Sequence, residues 1–194
     1  MKKLLLASSS PRRQEILRKL GISFEVIKPE CDENYPKNIR GAKIPVYLAE
    51  KKILSILESK KERNDYLIAA DTVVIFKGRV MGKPSDRNEA FRFLKQMQGK
   101  THLVVTGLSF YSPKTNYIEK TFAKTKVTFR KLSDGEINWY LGTDEWKDAA
   151  GGYKIQEKGA FLVKKICGSY SNVVGLPISE LYDILFSHGF MSEA

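Results

Sequence analysis

Residues 4–17 constrain the fold more than any other stretch of this chain. Leu4-Leu5-Leu6-Ala7 is apolar without alternation, as in a short strand covered on both faces. Pro11 fits a first helical position, where its missing N–H has no partner to lose. Ser10 is then the N-cap, its hydroxyl expected to accept a bond from an early backbone N–H. Ile16, Leu17 and Leu20 mark the apolar face of the helix, and Gly21 fits a left-handed cap at its end. A helix N-terminus thus sits at the end of a buried strand. It carries Ser8, Ser9 and Ser10 with Arg12 and Arg13. Such a place favours an anion, and phosphate suits the planar arginine fork. A capped surface helix with two solvated arginines has the same sequence, although the helix dipole there disfavours cations unless an anion is near.

At 194 residues and 42% hydrophobic content the chain can build a proper core as one domain, 1–194. Cys31 and Cys167 lack metal-type spacing, which fits a reduced, cytoplasmic protein and argues against a disulfide framework or a zinc site. The apolar run after Met1-Lys2-Lys3 is too short for a signal peptide, and no membrane span is expected. The net charge of +11 raises nucleic acid as a partner. Its distribution argues the other way: residues 1–65 hold 15 basic and 9 acidic groups, residues 66–130 hold 12 and 4, and residues 131–194 hold 6 and 9. No basic run is interleaved with aromatics, so no stable nucleic-acid complex is expected; a polyanionic small molecule explains the charge equally well.

Further along, residues 24–27 read as a strand, followed by the acidic loop Glu30-Cys31-Asp32-Glu33. Such a loop is either solvated or an oxygen-ligand site for Mg²⁺ or Mn²⁺. A helix over 45–59 turns Ala49, Ile53, Ile56 and Leu57 to one face, with Lys52 at its edge. That lysine either snorkels to water or reaches a phosphate. Residues 67–76 give the strongest strand signal, apolar but for Asp71 and Thr72. A carboxylate inside such a strand is costly unless paired or bound to metal, so a functional role is favoured. Lys77-Gly78-Arg79 turns into Val80-Met81, and Gly82-Lys83-Pro84 holds a lysine stiffly enough to serve phosphate.

Ser85 or Asp86 should cap a helix with Ala90, Phe91, Leu94 and Met97 inward. Long strands are predicted over 101–111 and 117–131, then a capping box at Ser133 and Glu136. Trp146 and Tyr153 flank a glycine-rich segment where they could pack a base. Residues 160–166 read as a buried strand, 168–177 as a polar loop, and the last helix as apolar at Ile178, Leu181, Tyr182 and Leu185. His102 and His188 have no visible partners and read as structural.

No Ser-His-Asp or Cys-His set, phosphate-binding P-loop or dinucleotide fingerprint can be assembled. What remains is Arg12, Arg13, Lys52 and Lys83 with Asp32, Glu33 and Asp71. Cations with carboxylates suggest metal-assisted phosphoryl chemistry on a polyphosphate.

Ser8-x-Ser10-Pro11-Arg12-Arg13, Ala70-Asp71-Thr72-Val73, Gly82-Lys83-Pro84, Thr106-Gly107, Ala150-Gly151-Gly152-Tyr153-x-Ile155-Gln156 and the run from Gly168 to Pro177 together resemble the Maf family, the septum-formation-inhibitor-like nucleoside triphosphate pyrophosphatases. The motifs come in the family's order across nearly the whole chain. The resemblance implies an α/β fold of the inosine triphosphate pyrophosphatase (Maf/Ham1) kind, a mixed twisted sheet with flanking helices and two lobes around a cleft. It implies hydrolysis of a nucleoside triphosphate to monophosphate and pyrophosphate with a divalent metal. Asp71 takes the place of the family's proton acceptor. Ser8, Arg13, Lys52 and Lys83 stand at phosphate-side positions, and Glu33 with Asp71 at metal-side positions. Arg12, Thr72 and Gln156 match the branch acting on dTTP and UTP rather than the 7-methyl-GTP branch. Ala149 departs from the lysine that many members have there. A regulatory protein of cell division with the same fold is the competing expectation, and a homodimer is compatible with the sequence.

Overall fold

The computed structural model describes residues 3–59 and 64–191. Strand β1 (Leu4–Ala7) pairs in parallel with β2 (Glu25–Ile27) and with β3 (Tyr66–Phe76). A strand with parallel neighbours on both sides is covered on both faces, and all four β1 residues are buried. Lys77 and Gly78 turn β3 back into the short antiparallel β4 (Arg79–Met81). Strands β5 (Thr101–Ser112), β6 (Tyr117–Phe129) and β7 (Val163–Cys167) complete a mixed seven-stranded sheet among the described residues, ordered β2-β1-β3-β5-β6-β7 with β4 on β3. The helices are α1 (Pro11–Lys19), α2 (Lys43–Ser59), α3 (Arg87–Met97), α4 (Asp134–Leu141), α5 (Tyr170–Val174) and α6 (Ile178–Ser187). None of them is long and apolar enough to cross a membrane.

The chain forms two structural units. The first takes residues up to Asp71, then Thr106–Ala123, then Gly175 onward; the second takes Thr72–Val105 and Lys124–Val174. In the first unit the period of two along β1 and β3 sorts side chains between two cores. Leu4, Leu6, Ile68 and Ala70 pack with Leu17 of α1 and with Leu181, Ile184 and Leu185 of α6. Leu5, Ala7, Leu67 and Ala69 pack with Ile53, Ile56 and Leu57 of α2. Each such buried aliphatic side chain contributes on the order of 1.5–3 kcal/mol. Helix α2 lies so close that a Cβ at Gly107 would be 2.3 Å from the Pro45 carbonyl carbon, so only glycine fits there.

Asp71 continues the odd-numbered face of β3, the face that meets α2. In the second unit one core joins Val74, Phe76 and Met81 to Leu94, Met97, Val104, Val127, Phe129, Tyr140 and Tyr153.

Several expectations are corrected. Ser10 stands at the N-cap of α1 but makes no side-chain cap bond. Leu20 is exposed, because it lies at the C-cap beyond the buried turn. Of the strand expected over 160–166, residues 160–162 belong instead to a 3₁₀ turn (Lys158–Leu162), with a backbone approach at Gly159 that leaves no room for a Cβ, while the rest forms β7, half-exposed rather than buried. The 168–177 loop contains α5. On α6 the buried position belongs to Ile184, and Tyr182 faces out. The capping box at Ser133 forms as expected, and Asp86, not Ser85, caps α3.

Candidate active site

The site begins where β1 ends. The Ser8 N–H donates to the Leu6 carbonyl at 2.9 Å, turning the chain sharply before α1. Ser8 is buried, and its Oγ accepts from the Ser10 N–H at 3.1 Å and from Arg13 Nη1 at 3.2 Å. Its own hydroxyl proton has no acceptor among the described residues, which leaves a donor for an incoming oxyanion. Arg13 Nε donates to the Gly175 carbonyl at 2.7 Å, so its guanidinium is fixed at two points. Burial pulls the Arg13 pKa down and the nearby Asp71 carboxylate pulls it back up. It stays cationic, as guanidinium groups do in proteins. Arg12, half-buried, and Glu33 act on the same guanidinium at short range.

Lys52 is the pivot. Its Nζ lies 2.5 Å from Asp71 Oδ1, 3.5 Å from the Ala70 carbonyl and 4.0 Å from Glu33 Oε1. Asp71 and Lys52 are only 7% and 9% exposed, a nearly dry ion pair in which each charge needs the other. Asp32 is occupied elsewhere: it takes Lys51 at 2.8 Å and the Asn34 N–H at 2.6 Å, and these bonds hold its carboxyl below the usual range. The acidic loop therefore divides, with Asp32 closing its own turn and Glu33 directed to Lys52.

The first unit thus gathers Ser8, Arg12, Arg13, Glu33, Lys52 and Asp71. Three cations face two carboxylates, a balance that welcomes an anion. Glu33 and Asp71, both directed to Lys52, are the carboxylates here that could hold Mg²⁺ or Mn²⁺, which takes one or two carboxylates and completes its shell with water and phosphate oxygens. No larger cluster of three His, Cys, Asp or Glu able to hold a metal occurs among the described residues.

Thr72, Lys83 and Gln156 belong to the second unit. Thr72 follows Asp71 on β3 and is half-buried; Lys83 is exposed between Gly82 and the buried Pro84. Gln156 is half-buried in a turn, and its amide reaches the Glu157 carboxylate only at 3.5 Å, too long to lock it. The aromatic expectation is corrected. Trp146 is buried and donates Nε1–H to the Leu141 carbonyl, and Tyr153 is buried against His102 and Phe129. Neither presents a face to a base.

The family described as Maf-like protein matches residues 3–188. The chain belongs to the Maf-like family. Among its Maf-like relatives, a protein of Thermoanaerobacter sp. (strain X514) is 45% identical over 183 residues, covering 94% of this chain and 95% of that one. One from Pyrococcus furiosus is 46% identical over 191 residues, covering 95% of each. One from Thermosipho africanus is 46% identical over 192 residues, covering 97% of this chain and 95% of the other. All three carry the name dTTP/UTP pyrophosphatase.

The sequence reading missed two features of this Maf-like site. Lys52 is the partner of Asp71, and the Gly175 carbonyl orients Arg13. The spacing of Ala49, Lys52, Ile53 and Ile56 put the lysine on the sheet-facing side of α2, which was the available signal for the first. A backbone carbonyl 162 residues away left none for the second.

Proposed function

We propose that the chain hydrolyses UTP and dTTP to the nucleoside monophosphate and pyrophosphate. The observation that carries this is the buried Lys52–Asp71 pair inside a cluster with cationic excess. Membership of the Maf-like family and the shared name of its relatives support the same reading. Ser8, Arg13 and Lys52 bind triphosphate oxygens, as does Lys83 in the second unit. Asp71 takes a proton from the attacking water as the phosphoanhydride between the α- and β-phosphates breaks and pyrophosphate leaves. A phosphate oxygen competes with Asp71 for the Lys52 ammonium and so loosens the carboxylate for proton transfer. Glu33 and Asp71 would hold a divalent metal, which when bound neutralises charge on the phosphates.

Gln156 and Thr72, both of the second unit, read the base, and Arg12 serves either the base or a phosphate. A glutamine amide matches the carbonyl–N–H–carbonyl edge that uracil and thymine share. Cytosine leaves a polar group unmatched, worth roughly tenfold to hundredfold in preference. The same reading places the activity in the cytoplasm, with Cys31 and Cys167 unpaired, and calls for no nucleic-acid partner. Light scattering distinguishes a monomer from a homodimer. The deciding experiment is pyrophosphate release from UTP, dTTP, CTP, GTP and 7-methyl-GTP with Mg²⁺ or Mn²⁺. UTP and dTTP should lead. A wild type favouring CTP or 7-methyl-GTP overturns the base assignment and keeps the reaction class; one inert to every triphosphate overturns both.

A further inference from the structure

His102 has no part in that chemistry, yet it occupies a place an apolar residue would fill more cheaply. It lies on the inward face of β5 at 3% exposure, with Phe129 edge-on at 4.8 Å between ring centroids. Its Nε2 is 2.8 Å from the Tyr153 hydroxyl, and its Nδ1 meets no hydrogen-bond partner among the described residues. Burying a half-satisfied imidazole is costly, so its one bond is where a role must lie.

Tyr153 begins the segment that ends in Gln156, and that segment is held at successive residues. The Gly151 N–H donates to the Gly82 carbonyl at 2.9 Å, beside Lys83. Gly151 is left-handed (φ 69°), and a Cβ there would lie 3.0 Å from a Val74 methyl. The Tyr153 hydroxyl meets His102, the Lys154 N–H donates to the Tyr140 hydroxyl at 3.2 Å, and Ile155 is buried in the core. Gln156 comes next, and among the described residues its own amide has only the long contact to Glu157. Its position is set by the backbone that precedes it.

We infer that His102 is a positioning residue for base selection, acting through its hydrogen bond to Tyr153 to place Gln156. This deepens the pyrophosphatase reading and rests on it. The bond fixes the ring of Tyr153, the ring fixes the start of a four-residue segment, and Gln156 inherits the register. An amide displaced by about an ångström no longer matches a pyrimidine edge, while the triphosphate contacts are untouched. The Gly151–Gly82 bond ties the residues just before that segment to the turn carrying Lys83.

The test compares kcat/KM for UTP and CTP in the wild type, Tyr153→Phe, His102→Gln and the double variant His102→Leu/Tyr153→Phe, with thermal melting alongside. Tyr153→Phe should cut the UTP-over-CTP preference about tenfold, mostly through KM for UTP, because one matched polar contact is misplaced. His102→Gln, which keeps an amide near the Nε2 position, should retain much of the preference. The double variant removes both polar partners, so it should regain melting temperature without regaining preference. A purely structural bond predicts the reverse, preference returning as stability returns, and that result overturns the inference. If Tyr153→Phe does not fold, the double variant alone decides. An active, pyrimidine-selective wild type whose preference survives in every variant overturns this inference alone. A wild type inert to all five triphosphates overturns it together with the functional reading.

Discussion

The molecule buries two polar pairs of opposite character. Lys52–Asp71, in the first unit, is charged on both sides and has further charges at Arg12, Arg13 and Glu33. His102–Tyr153, in the second, is neutral and enclosed by rings. Burial pushes the His102 imidazole down to about 4 and the Tyr153 phenol up, so both stay uncharged near pH 7. A charged pair at the edge of water can trade partners when an oxyanion arrives. A neutral pair in a core can only hold a position. On the proposed reading, buried polarity serves chemistry in one place and alignment in the other, and the neighbouring charges tell the two apart.

If the charged pair works with a divalent metal as proposed, turnover should fail completely in a chelator, and the neutral pair should not respond. EDTA is expected to abolish pyrophosphate release and added Mg²⁺ to restore it, while the melting difference between Tyr153→Phe and wild type stays the same with and without metal. Full turnover by protein shown metal-free by elemental analysis would remove Glu33 and Asp71 from a metal-binding role. Asp71→Asn should keep the fold and lose roughly 10²- to 10⁴-fold in kcat, the scale of general-base catalysis. Near-wild-type turnover by the folded variant would take this carboxylate out of the mechanism.

Stability separates the pairs more sharply than activity does. Lys52→Met strands the Asp71 carboxylate in a nearly dry site and should cost on the order of 3 kcal/mol in urea unfolding. Lys52→Met with Asp71→Leu should recover most of that and remain inactive. If the single variant melts like wild type, the pair is not coupled as its 2.5 Å separation implies.

What was legible in the sequence follows from range. β1, the turn into α1, the Asp71 strand and the Ser133 capping box are local patterns, and each forms where the sequence puts it. Asp71 was suspect because an acid in an apolar strand needs a partner, but the partner's identity is a tertiary fact. Trp146 and Tyr153 misled because aromatics beside glycines look open, whereas these rings complete a core that only the fold assembles. His102 was passed over as merely structural. Its alternation with Val104 on β5 marked it as inward, and nothing local showed the hydroxyl 51 residues away.

Acid sharpens the same contrast. Folded His102 stays neutral until about pH 4, while an unfolded histidine takes its proton near 6.5. Between those values the unfolded chain binds the extra proton, so stability falls as pH falls through the window and levels off below it. The loss from this one group is at most about 3 kcal/mol. Tyr153 stays protonated throughout and adds nothing. Carboxylates titrate in the same range, so the measurement is the difference between wild type and the His102→Leu/Tyr153→Phe variant. Wild type should lose stability relative to that variant as pH drops from 6.5 to 4; a constant difference would show that His102 is not held neutral.

The smallest expected effect concerns helix starts. In the second unit Asp86 accepts the Glu89 N–H at 2.7 Å and Ser133 accepts the Glu136 N–H at 3.2 Å. In the first, Ser10 makes no such bond, and its backbone N–H is turned to Ser8 Oγ instead. A capped helix end has spent its donors on itself. An end without a side-chain cap, beside Arg12 and Arg13 and with no acid in its first turn, is arranged for an outside anion. Asp86→Ala should therefore cost about 1 kcal/mol in urea unfolding, the ordinary value of a lost cap, and leave turnover alone. Ser10→Ala should cost only a few tenths of that. Inorganic pyrophosphate should raise the melting temperature of Ser10→Ala as much as that of wild type. If Ser10→Ala instead loses a full cap's worth of stability, its hydroxyl does cap α1 in solution, and the contrast between the two kinds of helix start disappears.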